Sequence, residues 1–517
     1  MKKLLIVIAV LMALTIVLAA CDRTQPVTPP PVETTTTVAT TQAVGETTTT
    51  EPPTTAGTEV PDLGGREIRM TFRANAGSGY KGIFEEDGTW RVPNPEAGNY
   101  HHQSLQYNNR VRVEEMFNFV LVPVHLPDAQ IFETMSTAII AGDIHADVSH
   151  TPTAVAIRAL VRGYTQPLEP LAEMLPGVDL DIFGARLYAW PCTVVDGLTW
   201  NFTRPLPNMN NQGIFVNLAL IEAFGAPNPV ELYERGQWTW DAMRQIMEMT
   251  TADTTGDGNI DTWGASGNLG AALRHLMIAN GTVSFCPDTL QLNHNTPEAM
   301  AALEFVYEII ANGWFMPGDP EHAAPARGSS VNDLAFGQGL TALGISTTPG
   351  NMNNQFQAGL EAETTAWVPF PLGPNNTDGR NSESGGRGGA AIMAMAEDPH
   401  YLLWIIDQLH HWPGDEWYEM EYSADLEWAR RFMATEADVQ RIYQVGVRGQ
   451  RMDLGYRAGI TGGFHQDMVN SWWFGEMTVA QSVEYWFAER QAMADEFFAG
   501  WTPGGHEAAG VSVGAGR

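Results

Sequence analysis

Lysine is almost missing from this chain. Its 517 residues include only Lys2, Lys3 and Lys81, so nearly every other cation is an arginine. Acidic residues outnumber basic ones by 60 to 28, for a formal net charge of −32. A phosphate backbone needs a basic face, so this balance argues against nucleic acid as a partner. Cysteine is equally scarce: Cys21, Cys192 and Cys286. Cys192 and Cys286 can pair in an oxidising exterior or stay as two buried thiols, and their spacing does not choose between these. The 13 histidines show no zinc spacing. There is no P-loop, nucleophile elbow or metalloprotease helix.

Long apolar runs are also lacking, with one exception. Leu4 to Leu18 follows the basic Met1-Lys2-Lys3, yet it is short of the about 20 residues of a comfortable membrane span. Leu18-Ala19-Ala20-Cys21 then places small residues before a cysteine. This resembles a bacterial lipoprotein signal, which implies cleavage after residue 20 and acylation of Cys21. An uncleaved anchor and an ordinary signal peptide are the alternatives. Residues 21–61 are rich in Thr and Pro and poor in large apolar side chains. Such a segment cannot offset its chain entropy by burial, so it reads as a disordered tether or a glycosylated stalk. Fully extended, about 40 residues at ~3.3 Å each reach beyond about 100 Å. The remainder is too long for one core and predicts two or three domains.

Residues 213–264 carry the most pattern. Gly213 to Asn217 is β-prone, Leu218 to Phe224 predicts a short helix, and Gly225 suits its end. Trp238-Thr239-Trp240-Asp241 opens a second helix, with Thr239 as cap and Asp241 favouring the dipole. Trp238 and Trp240 are assigned to packing. An Asp/Gly turn follows from Asp253 to Asp261, then Trp263-Gly264.

Elsewhere, strands are predicted over residues 66–72 and 119–124, and helices over 101–117, 129–141, 398–412 and 479–498. Thr296-Pro297 starts another helix as cap and first residue, with Met300, Leu303, Tyr307 and Ile310 as its buried stripe. Strands alternating with helices predict an α/β fold.

The order of strand, short helix, WTWD helix, Asp/Gly turn and Trp263-Gly264 resembles the extracellular solute-binding proteins of family 1, the capture subunits of ABC importers, mostly for sugars. Five more segments match in order. They are Ala141-Gly142-Asp143 with Asp147-Val148, Gly163 to Leu168, Asp196-Gly197-Leu198, Phe336 to Gly344, and Val368-Pro369-Phe370-Pro371-Leu372-Gly373-Pro374. The Tyr and Lys usual after Phe215 are absent, and Ser346-Thr347-Thr348 replaces a common Trp shelf.

The resemblance implies a two-lobe periplasmic-binding-protein-like fold with a hinge and an interlobe cleft. It implies a first lobe at 62–200, a second at 201–341, a return to the first at 342–412, and C-terminal helices with the second lobe at 413–517. Crossings are expected near Thr199–Pro205, Ala342–Thr348 and His410–Gly414. The implied function is capture of a sugar or oligosaccharide for a membrane permease. The protein would be a monomer without catalytic activity, lipid-anchored on the outer face of a bacterial membrane. A secreted glycoside hydrolase and a Thr-stalked adhesin are the alternatives.

Ligand contacts of open α/β sheets lie past the C-terminal ends of strands. That rule selects Arg73, His150, Asn210, Asn268 and Arg387, with Trp472 and Trp473 near the rim as faces for a sugar ring. Asp253, Thr255, Asp257, Asn259 and Asp261 have the spacing of a Ca²⁺ loop, with Gly258 at the tight turn. Gly264 stands where the bidentate Glu belongs, which favours a plain Asp/Gly turn and no cofactor.

Overall fold

The computed structural model describes residues 60–73, 100–175, 194–195, 198–201, 212–286, 288–317, 335–347, 364–381, 389–410, 426, 429–431, 433, 435–447 and 453–499. Two compact units divide the chain, 1–51 and 52–517, and every described residue lies in the second.

The chain runs β1 (Arg66–Arg73), α1 (Tyr100–Phe117), β2 (Phe119–Leu126), α2 (Asp128–Ile140), β3 (Val148–Thr151), α3 (Thr153–Val161), α4 (Glu169–Glu173), β4 (Val194–Val195) and β5 (Leu198–Thr199). It continues through β6 (Gly213–Asn217), α5 (Leu218–Ala223), α6 (Pro229–Glu234), α7 (Trp240–Thr250), β7 (Trp263–Gly267), α8 (Leu269–Ala279), β8 (Phe285–Cys286), β9 (Gln291–Leu292) and α9 (Pro297–Ala311). Then come β10 (Thr341–Thr347), β11 (Thr365–Val368), β12 (Gly389–Ile392), α10 (Pro399–His410), α11 (Glu436–Val447), α12 (Leu454–Arg457), α13 (Phe464–Trp473) and α14 (Val479–Phe497).

Two four-stranded sheets organise this chain. The first has the order β12-β3-β1-β2, with β1 parallel to β2 and β3, and β12 antiparallel to β3. Alternation along β1 turns Ile68 and Met70 into a core with Leu121, Val148 and Ile392, closed by Phe117, Met135 and Leu403 from the helices. Asp147 fixes the entry to β3. Its Oδ2 accepts the Arg69 N–H at 2.7 Å, and its own N–H donates to the Arg69 carbonyl at 2.8 Å.

The second sheet has the order β11-β6-β10-β7. β10 is parallel to β7 and antiparallel to β6, and β11 is antiparallel to β6. All five residues of β6 are buried, because both faces are covered. Ile214 and Val216 meet α7, α8 and α9 in the largest core. Phe215 faces Trp367 and α11 on the other side. Gly213 has no room for a side chain, since a Cβ there would lie 2.5 Å from the Trp367 ring.

Several expectations change in detail. Thr239 stands at the N-cap of α7, but its side chain makes no capping bond. Trp238 and Trp240 do pack: the Trp238 indole N–H donates to the Pro369 carbonyl, and Trp240 stacks on Phe305 with centroids 4.8 Å apart. The buried face of α9 is centred on Ala302, Phe305, Val306 and Ile309, and Tyr307 is exposed. Helices α8, α13 and α14 all pack against α9, which widens and rotates the stripe. The described strands after residue 341 do not return directly to the first sheet, as the lobe division expects them to. β10 and β11 pair within the second because Leu343, Ile345 and Val368 belong to its core, and Gly389 is where the first sheet resumes. Cys286 is a free thiol, part-exposed rather than buried, and Cys192 lies outside the described residues.

Candidate functional site

β7 and β10 run parallel, and both point their C-terminal ends to the same edge of the second sheet. At that edge Gly267 adopts φ +122°, and a Cβ there would meet the Ile345 carbonyl oxygen at 2.1 Å. Only glycine fits this turn. The next residue, Asn268, caps α8: its Oδ1 accepts the Ala271 N–H at 2.9 Å. That leaves the amide nitrogen as a donor.

A cavity of about 400 Å³ opens here. Its described lining comes from two stretches. Asn268, Gly270, Ala271 and Arg274 belong to the start of α8; Tyr456, Gly462, Gly463, His465 and Gln466 belong to α12 and the start of α13. Helices α8 and α13 approach closely because residue 270 is glycine; a Cβ there would lie 2.6 Å from Gln466 Oε1. The first turns of two helices therefore border one cavity, each with its partial positive end toward it.

Arg274 is buried, with its guanidinium 3.5 Å from the Tyr456 ring centroid. Its Nη2 lies 3.3 Å from His275 Nε2. Toward Arg274 this nitrogen could only accept, and toward Gln212 Oε1 it could only donate, so the two contacts compete for one atom. His275 also contacts Gln212 and stacks on Phe370 with centroids 4.8 Å apart. Gln466 donates to Asn470 at 2.9 Å. His465 is buried and held well below the usual histidine range by burial, then by its neighbours His294 and Arg274. The arrangement offers fixed amide and guanidinium donors beside an aromatic ring. Such a set suits hydroxyl-bearing ligands with apolar C–H faces.

Of the sequence candidates, Asn268 lines this cavity. Arg73 ends β1, opposite Leu126 of β2, and His150 lies in β3 opposite Ala390. Trp472 is not at a rim. It is buried in the second core, with its indole N–H donating to Ser482 Oγ at 3.0 Å. Trp473 is half-buried against the same core and edge-on to Phe315. Asn210, Arg387 and Cys21 lie outside the described residues. The strand-end rule does not pick out Arg274, Tyr456, His465 or Gln466. One signal was available: Arg274-His275 interrupts the apolar α8, LGAALRHLMIA.

The Asp253–Asp261 turn is exposed. Asp253 accepts the Gly256 and Gly258 N–H groups at 2.6 and 2.7 Å, and Asp261 accepts those of Thr254 and Thr255 at 2.8 and 2.9 Å. These bonds hold both carboxyls below the usual range. Gly256 and Gly258 take φ of +77° and +90°, as the turn requires. Among the described residues no three His, Cys, Asp or Glu converge as a metal site. No described helix is long and apolar enough to cross a membrane.

Neither a protein-family model nor a curated protein matches the sequence. Solved structures do. The sugar-binding protein MalE from Xanthomonas citri matches at 15% identity with a TM-score of 0.55, over 84% of this chain and 98% of that one. The cyclic alpha-maltosyl-1,6-maltose binding protein from Arthrobacter globiformis matches at 13% and 0.55, over 84% and 100%. A cyclo/maltodextrin-binding protein complexed with maltotetraose matches at 13% and 0.54, over 86% and 100%. At these identities the likeness is one of fold. The chain therefore has the two-lobe α/β fold of the MalE-like periplasmic binding proteins.

Proposed function

We propose that this protein is the substrate-binding lipoprotein of an ABC importer. It captures a sugar or oligosaccharide between its lobes and hands it to the membrane permease. One observation carries the reading: the cavity at the strand ends of β7 and β10 sets Asn268, Arg274 and the Tyr456 ring around one space. Solved proteins of the same fold are sugar-binding, one of them seen with maltotetraose. Cys21 and the Thr/Pro-rich residues after it would supply the anchor and the tether.

A thermal-shift screen of mono- and oligosaccharides, followed by calorimetry, tests the reading. A bound sugar should raise the melting temperature with concentration, because it stabilises only the folded state. The saccharide should be recovered intact after long incubation, whereas cleavage would favour the hydrolase. No shift with any sugar would overturn the sugar assignment. Lipid labelling should disappear in Cys21→Ala, and retained labelling would remove the anchor from the proposal.

A further inference from the structure

Helix α3 is apolar nearly all round. Val155, Ala156, Ile157, Ala159 and Leu160 are buried, and Arg158 is exposed. A helix on the edge of a single core keeps a polar face. This one serves two cores. Val155 and Ala159 enter the core of the first sheet. Ile157 and Val161 lie on the opposite side, about 200° round at 100° per residue. They join a separate cluster with Phe285, Leu454, Ala458 and Ile460.

Those partners belong with the second sheet's half of the molecule. Asp453 caps α12 through the Tyr456 N–H and accepts the Ser284 N–H at 3.0 Å, which ties α12 to β8. Ser284 Oγ also lies 3.0 Å from Thr461 Oγ1. The packing of α3 on α12 is thus a contact between the two halves. It borders the cavity, because Tyr456 sits on α12 and lines it.

We propose that Ile157 sets closure: packed on α12, it holds the two halves together before any solute is bound. If the halves part, Ile157, at 2% exposure, and Ile460, also at 2%, meet water. Their exposure disfavours the open state. A solute that bridges both halves binds only the closed form, so its apparent affinity scales with the closed fraction. Ile157 is a positioning residue with no solute contact of its own. The affinity consequence rests on the capture reading; the contact does not.

The test uses the full chain without added sugar. Small-angle scattering and hydrogen exchange are compared for wild type, Ile157→Ser, Leu454→Ser and the double variant. Each single variant should enlarge the radius of gyration. Each should also speed amide exchange over 454–460 by roughly ten- to hundredfold, while β1 and β6 exchange as in wild type. The double variant should go little beyond either single, since both remove one contact. Should Ile157→Ser fail to fold, Ile157→Val should show a smaller shift of the same kind. Wild-type dimensions in both single variants, or faster exchange throughout the first core, would overturn the proposal. Neither readout needs a sugar, so an empty sugar screen and a failed closure test are separate outcomes.

Discussion

His294 Nε2 and His465 Nε2 lie 2.9 Å apart, and both rings are buried. One must donate and the other accept, so the accepting ring is neutral, and burial keeps the donor neutral as well. Burial pushes His294 down to about 3 and His465 well below the usual histidine value. Burial, with Arg69 nearby, also lowers His145 to about 4. The sign follows from proton uptake. Below about pH 6.5 the unfolded chain binds protons that the folded chain refuses, so stability falls as pH drops. Above that value these histidines contribute no slope. The loss should reach up to about 1.4 kcal/mol per pH unit for each histidine. Denaturant unfolding between pH 6.5 and 5 should therefore show a shallower slope for His294→Gln than for wild type. Equal slopes would mean that the pair titrates normally.

Asn268 has two roles that substitution can separate. Asn268→Ala removes the cap of α8 and should cost about 1 kcal/mol. Asn268→Asp keeps an acceptor for the Ala271 N–H but removes the amide donor at the cavity. Its stability should stay near wild type while affinity for a sugar found in the screen falls about tenfold. Calorimetry of both variants, beside their melting curves, distinguishes cap from contact.

Trp472 should behave as core. Trp472→Ala should lower stability by about 3–5 kcal/mol, as buried Trp truncations do. A stable variant with lost affinity would instead return this residue to the binding face. Denaturant midpoints at fixed m-value report the difference.

The Asp253–Asp261 turn is held by its own backbone N–H groups. Metal-stripped protein should therefore melt at the same temperature with and without added calcium. A rise that Asp257→Ala abolishes would establish a calcium loop. Gly258→Val should lower the melting temperature either way, because a β-branched side chain at φ +90° is strained.

Much of the architecture is legible in local pattern. Gly213–Asn217 reads as a short β-prone apolar run, as a strand covered on both faces should, and Gly225 ends α5 at φ +60°. Thr296 caps α9 as its sequence implies, its Oγ1 accepting the Ala299 N–H. Helix α3 escapes such reading, because an apolar surface on two opposite sides has no helical period. Helix α13 escapes it too, and without that helix Trp472 looks like a loop residue. The cavity is harder still. Arg274 and Tyr456 meet face to face although about 180 residues separate them in sequence. No local window contains both.

The sheet order also bears on how the chain is made. β1, β2 and β3 leave the ribosome early, but their fourth neighbour β12 arrives only after β6, β7, β10 and β11. The second sheet can be complete while β3 still offers an unpaired edge. Such an edge invites wrong pairing with other chains. Synthesis that stalls between Val368 and Gly389 would leave one finished half attached to one sticky half. Until residues 389–392 have joined it, the outer edge of β3 is where such mispairing can start on this sheet.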